Sequence, residues 1–205
     1  MMNKIMDKNV VNLLGEVQTP FMFEYKDRRG NSFYRFILKV KRLSGEYDYI
    51  VCQASDNLIE PQDDLTGELM EITGILKTRN KKNRGDNKSH LDIFVNVYDC
   101  DFTSEFISKN EVELEGYICK NPIYRVTPLE RHITDLCIAN NSWKTSYIPT
   151  ICWGKNAVKM EKKHIGTKVK IHGRIQTREY NKKLPNGSVV TKIATELSCD
   201  KIDII

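Results

Sequence analysis

The stretch Gly67-Glu-Leu-Met-Glu-Ile72-Thr-Gly74-Ile75-Leu-Lys77-Thr78-Arg79 returns as Gly166-Thr-Lys-Val-Lys-Ile171-His-Gly173-Arg174-Ile175-Gln-Thr177-Arg178, at a constant offset of 99. The same offset pairs Cys100-Asp101 with Cys199-Asp200. Upstream, Tyr49-Ile50 matches Tyr147-Ile148 and Gly15 matches Gly116, at offsets of 98 and 101, the small drift that loop insertions produce. A repeat on this scale means two copies of one structural unit. The 205 residues therefore divide into 1–109 and 110–205. The join around residues 104–110 is too short to hold the copies far apart.

Both copies carry the period of strands. Lys168-Val-Lys-Ile171-His-Gly173 alternates polar with apolar, as does Val112-Glu-Leu114-Glu-Gly116, which marks a sheet buried on one face. Leu184-Pro185-Asn186-Gly187-Ser188 is a turn signal that joins two such runs into a hairpin. A helix is expected over residues 156–164 and a weaker one over residues 56–64. Each copy thus reads as three strands, a short helix and two more strands. The expected fold is all-β with short helices: two tandem OB-folds, each a five-stranded Greek-key barrel. A single β-sandwich of the whole chain accommodates the repeat less well.

Composition narrows the chemistry. There are 32 Lys and Arg against 27 Asp and Glu, a net charge of +5, and 40% of residues are hydrophobic, enough for a folded chain. No run of about 18 apolar residues is present to span a membrane. Met1-Met2-Asn3-Lys4-Ile5-Met6-Asp7 lacks the apolar stretch of a secretory signal, which points to the cytoplasm. The six cysteines (Cys52, Cys100, Cys119, Cys137, Cys152 and Cys199) form no C-x-x-C pair and have no histidine at zinc-ligand spacing. They read as small buried apolar residues in a reducing compartment, with no metal site and no cofactor. His90, His132, His164 and His172 are dispersed, and no nucleotide-hydrolase, zinc-protease or serine-hydrolase motif occurs. Without paired carboxylates among apolar residues, no enzyme is expected.

The second copy shows a candidate binding face. Residues 110–205 hold 16 basic and 10 acidic residues, whereas 1–109 hold 16 and 17. Along the run from Lys168 to Tyr180, Val169, Ile171, Gly173 and Ile175 share a face suited to a barrel interior. Lys170, His172, Arg174, Gln176, Arg178 and Tyr180 share the other, and the run's one acid, Glu179, falls on the apolar parity. In the preceding strand Trp143, Tyr147, Pro149, Ile151 and Trp153 share one parity, beside Lys144 and Lys155. Rings beside cations suit single-stranded nucleic acid, because every base has a π-face to stack and every phosphate a charge to neutralise. Filling a core or a subunit interface is the competing use of such rings.

Glu113-Leu-Glu-Gly116, Asn121-Pro122, Arg125-Val-Thr-Pro128, Ile151-Cys-Trp153-Gly154-Lys155 and Gly173-Arg174-Ile175-Gln-Thr177-Arg178-Glu-Tyr180 together resemble the bacterial single-stranded DNA-binding proteins. The resemblance covers essentially all of residues 110–205. It implies that Trp143, Tyr147, Trp153 and Tyr180 stack bases and that Arg174, Arg178 and Lys144 contact the backbone, with Lys170 and Arg125 nearby. The implied role is sequence-independent binding of single-stranded DNA. It would protect that DNA in replication, recombination or repair, at the nucleoid in a bacterial cytoplasm. Family members generally present four OB-folds, so two per chain imply a homodimer. Val126 stands where the family usually has tyrosine, and Pro149 interrupts a strand. The chain stops at Asp203-Ile204-Ile205 where members usually continue to an acidic tip that recruits repair enzymes, so no recruitment by that route is expected.

The first copy resembles the family weakly. It keeps Tyr49, Gly74, Thr78 and Arg79, but Gln53 stands at the Trp153 position and Lys81 at the Tyr180 position. Residues 77–88 hold six cations and one acid. Tyr49, Lys77, Arg79, Lys81 and Lys82 read either as a weaker, phosphate-gripping site or as a solvated loop. The copy could instead be a packing partner, with Phe21, Phe23 and Tyr25 adding apolar surface. Two further readings stay open: an OB-fold adaptor that docks on replication proteins, and an RNA binder, because stacking does not itself reject a 2′-hydroxyl.

Overall fold

The computed structural model describes residues 6–82, 89–105, 107–142, 144–183 and 187–205. The first half contributes β1 (Asn9–Val17), β2 (Met22–Lys26), β3 (Ser32–Lys41), β4 (Tyr47–Ser55), β5 (Leu69–Lys82) and β6 (Ser89–Phe102). The second contributes β7 (Lys109–Ile118), β8 (Ile123–Val126), β9 (His132–Asn140), β10 (Ser146–Trp153), α1 (Gly154–Glu161), β11 (Lys168–Lys183) and β12 (Val189–Ile204).

Hydrogen-bonded order runs β2-β3-β4-β6-β5-β1-β7-β11-β12-β10-β9-β8, which reads the same from either end once halves are exchanged. Additional β1–β3 and β7–β9 pairings close each half into a five-stranded barrel. The parallel pairings β4–β6 and β10–β12 are the same in both. The chain is thus two tandem OB-folds, each with a short extra strand, β2 or β8, hairpinned onto the barrel wall.

The barrel interiors follow the alternation of the sequence. Val11 and Leu13 of β1, Ile72 and Leu76 of β5, and their counterparts Val112, Leu114, Ile171 and Ile175 are all buried. Each such side chain stabilises the fold by about 1.5–3 kcal/mol. Close strand approach needs glycine at four points: Gly15 and Gly116, where a Cβ would stand 2.6 Å from a carbonyl oxygen across the closing pairings, and Gly74 and Gly173 on the long strands. A Cβ on Gly74 would stand 2.7 Å from the Asn96 carbonyl oxygen, and one on Gly173 would stand 2.2 Å from that of Ser198. At both points the partner strand carries an extra residue, Tyr98 or Asp200, and the ladder shifts register. Beyond the shift the long strand leaves its first-strand neighbour, and an asparagine side chain takes over the ladder. Asn9 exchanges two hydrogen bonds with the Leu76 backbone, both 2.9 Å, and Asn110 does so with Ile175 at 2.8 and 2.9 Å.

The helix expected in the second half forms, two residues earlier than its polar pattern suggested, with Ala157 and Met160 buried beneath the barrel. The one expected over residues 56–64 does not. That segment is a series of turns, because Pro61 cannot continue a helix and Asp56, Asn57, Asp63 and Asp64 favour local turn bonds. Ile59 plugs the first barrel instead. The hairpin expected at residues 184–188 joins β11 to β12, paired up to Lys183 opposite Val189; its residues 184–186 lie outside the described residues.

The two barrels are joined by backbone. β1 and β7 pair antiparallel with Val11 opposite Val112, so one sheet runs through both halves. Each long hairpin then reaches the other half's middle strand. Thr177 Oγ1 accepts from the Tyr49 N–H at 3.1 Å, and its counterpart Thr78 accepts from the Tyr147 N–H at 2.9 Å. On one side this contact is pinned by the fully buried Asp48. Its carboxylate accepts the Thr177 N–H at 2.6 Å and a bidentate pair from Arg42 at 2.6 and 2.8 Å. Removing the carboxylate strands the partly buried guanidinium and the Thr177 N–H together. Asp48→Ala is expected to lower the unfolding free energy by about 3 kcal/mol, measured by urea denaturation. A loss below about 0.5 kcal/mol, the size typical of exposed surface changes, would remove Asp48 from this role.

Candidate nucleic-acid interface

The parity read along β11 is the parity of the structure. Val169, Ile171, Gly173 and Ile175 point inward and Thr177 turns to the other half, while Lys170, His172, Arg174, Gln176, Arg178 and Tyr180 point out. The outward row is not one continuous site. Lys170 and His172 lie where β11 still pairs with β7, and Glu113 of β7 gathers them. Lys170 stands 2.7 Å from the Glu113 carboxylate, Lys8 of the first half 2.5 Å and the His172 ring 3.9 Å. Past Gly173 the row runs beside β12, where Arg174 faces Asp200 and Arg178 faces Glu196, each at 3.5 Å. Tyr180 is 38% exposed with the Arg178 guanidinium 6.0 Å from its ring centre.

Trp153 lies in a recess with Arg174, Gln176 and Ser198, and its indole N–H donates to the Ser198 hydroxyl at 3.2 Å. The recess is about 470 Å³ and includes Arg131 of the β8–β9 loop. Tyr147, 53% exposed, stands at the far end of β10, about 20 Å along the strand. It lines a larger groove with Lys144 and Pro149, whose opposite wall is the first half's β5–β6 hairpin. Ile151, of the same parity as these rings, is buried mid-sheet between Ser198 and Asp135 and forms floor rather than contact surface. Arg125, on the outermost strand β8, is held by a bidentate ion pair to Asp135, closest at 2.9 Å. Trp143 lies outside the described residues. The structure thus brings Trp153 to Arg174, Tyr147 to Lys144 and Tyr180 to Arg178, and sets Lys170 and Arg125 at the margins.

The equivalent face of the first half is occupied by its own side chains. Gln53 does not take the Trp153 position as expected: it pairs with Arg35 and Asn96 as Ile151 pairs with Asp135 and Ser198, so the counterpart of Trp153 is Ser55. Gln53 is buried, and its amide donates to Asn96 at 3.1 Å and to the Tyr25 hydroxyl at 3.3 Å. Tyr25 stacks on Phe33 with centroids 4.9 Å apart. Arg35 binds Asp92 at 2.5 and 2.9 Å, Arg79 binds Asp92 at 3.0 Å and also Glu24, and both guanidiniums lie over the Phe94 ring. Burial works against ionisation of Asp92, yet these two guanidiniums hold its carboxyl below the usual range. Lys81 reaches Glu24 at 3.4 Å while staying half exposed, and the Lys82 side chain lies outside the described residues. Tyr49 is 41% exposed, in a recess with Tyr47, Arg178 and Glu179. Lys77 donates to the Lys144 carbonyl at 3.2 Å, and burial followed by the nearby Lys144 charge lowers its pKa.

Sequence reading did not foresee Glu24, Asp92 and Tyr25 closing the first face, nor Glu113 drawing in Lys170. The carboxylates come from other strands, and only the pairing order makes them neighbours. Thr78 and Thr177 were visible as repeat partners, but their reach across the halves was not. The described thiols are all free. Cys52, Cys152 and Cys199 are buried as expected, while Cys100, Cys119 and Cys137 are only partly so. Among the described residues no three His, Cys, Asp or Glu gather to hold a metal, and no helix is long and apolar enough to cross a membrane. What the outer face offers is ring surface beside cations: a platform for planar groups and phosphates.

Comparison with known proteins gives matches to the same half and to the whole. Residues 109–205 match the family model of the single-strand binding protein family. No curated protein sequence matches. Among solved structures, the fold is similar to that of the wild-type single-stranded DNA binding protein from Thermus aquaticus, at 18% identity and a TM-score of 0.74, covering 98% of this chain and 94% of that one. A deletion variant of the same Thermus protein matches at 20% identity and a TM-score of 0.72, over 98% and 95%. The N-terminal domain of PriB from Thermoanaerobacter tencongensis matches 47% of this chain and 98% of its own length, at 33% identity and a TM-score of 0.39.

The Glu113 cluster carries a pH signature. Hydrogen bonds from Lys170 and Lys8 hold its carboxyl down at about 2. A carboxyl depressed in the folded state stabilises the fold above its unfolded pKa of about 4.3, and that contribution fades as pH falls from there toward 2. Glu113→Gln is expected to flatten this acid limb of a Tm–pH curve between about pH 4 and 2. An unchanged limb would show that the two lysines do not act through Glu113.

Proposed function

We propose that this chain, which belongs through residues 109–205 to the single-strand binding protein family, binds single-stranded DNA without regard to sequence, by base stacking and phosphate contacts. The observation that carries this reading is the pairing of exposed or half-exposed rings with cations on the outer wall of the second barrel. Trp153 with Arg174, Tyr147 with Lys144 and Tyr180 with Arg178 each combine a π-face with a positive charge, while the apolar residues of the same strands fill the core. Trp143, outside the described residues, is assigned to base stacking by the family resemblance alone, and Lys170 and Arg125 add positive charge at the edges.

Residues 110–205 act as the main binding unit and residues 1–109 as a weaker one. In the first unit Tyr49, Lys77, Arg79, Lys81 and Lys82 serve phosphates more than bases. The internal pairing of Arg35 and Arg79 with Asp92 and Glu24 supports that ranking, because cations already neutralised release fewer counterions on binding. Two barrels per chain support a homodimer presenting four, in which linked sites raise the effective concentration of each for one strand. Protection of exposed DNA during replication, recombination or repair, at the bacterial nucleoid, is the role that fits. The chemistry asked of the protein is recognition, and no bond is made or broken.

The chain has two tryptophans, Trp143 and Trp153, both assigned to the binding surface. Adding poly(dT) is expected to quench intrinsic fluorescence strongly, with affinity falling as salt rises. Trp153→Ala is expected to weaken binding by about 1–3 kcal/mol, whereas Lys81→Ala mainly flattens the salt slope. Equal losses in the two variants would dissolve the division of roles. Binding that leaves the tryptophans unquenched would move the site away from the second barrel.

A further inference from the structure

The groove at Tyr147 has walls from both halves. The first half's hairpin supplies Arg79, Asn80 and Leu91, and the second half supplies Tyr147, Pro149 and Ile123, around a space of about 850 Å³. That volume lies in the range of pockets that hold small organic ligands. The spacing of the walls is set by the fold, since Thr78 bonds the Tyr147 backbone at 2.9 Å and Lys77 bonds the Lys144 backbone at 3.2 Å. The facing apolar groups lie open to solvent rather than packed on one another: Tyr147 is 53% exposed, Ile123 63% and Leu91 42%.

Positive charge is concentrated beside it. Among the described residues neither Lys77 nor Lys144 has a carboxylate within salt-bridge distance, and burial followed by the charge of Lys144 disfavours the protonated form of Lys77. An anion between them would relieve that repulsion. The symmetry-related recess at Tyr49 differs in both respects. It is about 300 Å³ and carries Glu46 and Glu179 beside its arginines, whereas the one carboxylate lining the Tyr147 groove, Asp135, is already paired with Arg125, so the larger groove is the better suited to an anionic guest.

We infer that this groove is a nucleotide slot shared by the two halves, in which one base of a single strand stacks on Tyr147 with Leu91 packed against it, and its phosphate lies between Lys77 and Lys144. The inference rests on the single-stranded DNA reading above and adds a contact that neither barrel makes alone. The first half then contributes to affinity through an apolar wall, although its own outer face is closed.

Cys119 and Cys137 line the same groove and are partly accessible, whereas Cys100 lies elsewhere, on β6 against the Leu58 carbonyl. Burial and the neighbouring Cys137 push the Cys119 thiol up to about 11, so labelling with N-ethylmaleimide will be slow enough to follow by peptide mass spectrometry. Oligo(dT) at about ten times its Kd is expected to slow labelling of Cys119 and Cys137 about tenfold and to leave Cys100 unchanged. Leu91→Ser, at a partly exposed position, is expected to weaken oligo(dT) binding about tenfold at low and high salt alike, without altering the salt slope. Tryptophan quenching with both thiols unprotected and Leu91→Ser at full affinity would overturn the slot and leave the DNA-binding reading standing. Absence of quenching and of thiol protection together would overturn both.

Discussion

Two barrels of this kind each leave a first strand with unpaired backbone on one side, and the pairing of those strands with each other organises the molecule. β1 and β7 meet antiparallel about Val11 and Val112, turning two exposed edges into the centre of a continuous sheet. The pairing also fixes orientation. Because the ladder is symmetric about its midpoint, the hairpin of each half must project toward the middle strand of the other. Thr78 on Tyr147 and Thr177 on Tyr49 are the same contact made twice. The join between the copies only has to let this happen.

Symmetry of backbone has not kept symmetry of surface. At the end of the middle strand the second barrel has Trp153, half exposed and bonded to Ser198, where the first has Ser55, and nearby Gln53 is buried under Tyr25. Around Gln53 the arginines are spent on Asp92 and Glu24, whereas Arg174 and Arg178 are themselves more exposed and stand farther from their partners. A buried ion network resists giving up its cations, since stripping one leaves a buried carboxylate uncompensated. The Arg174–Asp200 pair, exposed on both sides and 3.5 Å apart, gives up its cation at little cost, because exposed ion pairs are worth about 1 kcal/mol or less. The copies thus share a scaffold and differ in how readily their charges turn outward.

Pairing between the halves also moves function across the repeat boundary. Tyr147 belongs to the second barrel, but the wall it faces is Arg79, Asn80 and Leu91 of the first. Lys170 goes the opposite way: its parity is that of the cationic row, yet Glu113, which also holds Lys8, draws it into the central sheet. A face read along one strand becomes several sites once neighbouring strands are known.

Much of the fold was legible in the chain because it depends on local period. Alternation in residues 168–175 separates core from surface, Gly74 and Gly173 mark where strands approach too closely for a Cβ, and the offset of 99 announces two barrels. The aromatic and basic residues of the second barrel were legible for the same reason, since a strand's parity assigns each side chain a face. The helix misread at residues 56–64 shows the limit of pattern where Pro61 and paired aspartates favour turns. Which carboxylate meets which cation, which ring is covered, and which half's hairpin faces Tyr147 were decided only by the tertiary structure. Those contacts join residues tens of positions apart, and strand order, not sequence spacing, sets the distance between them.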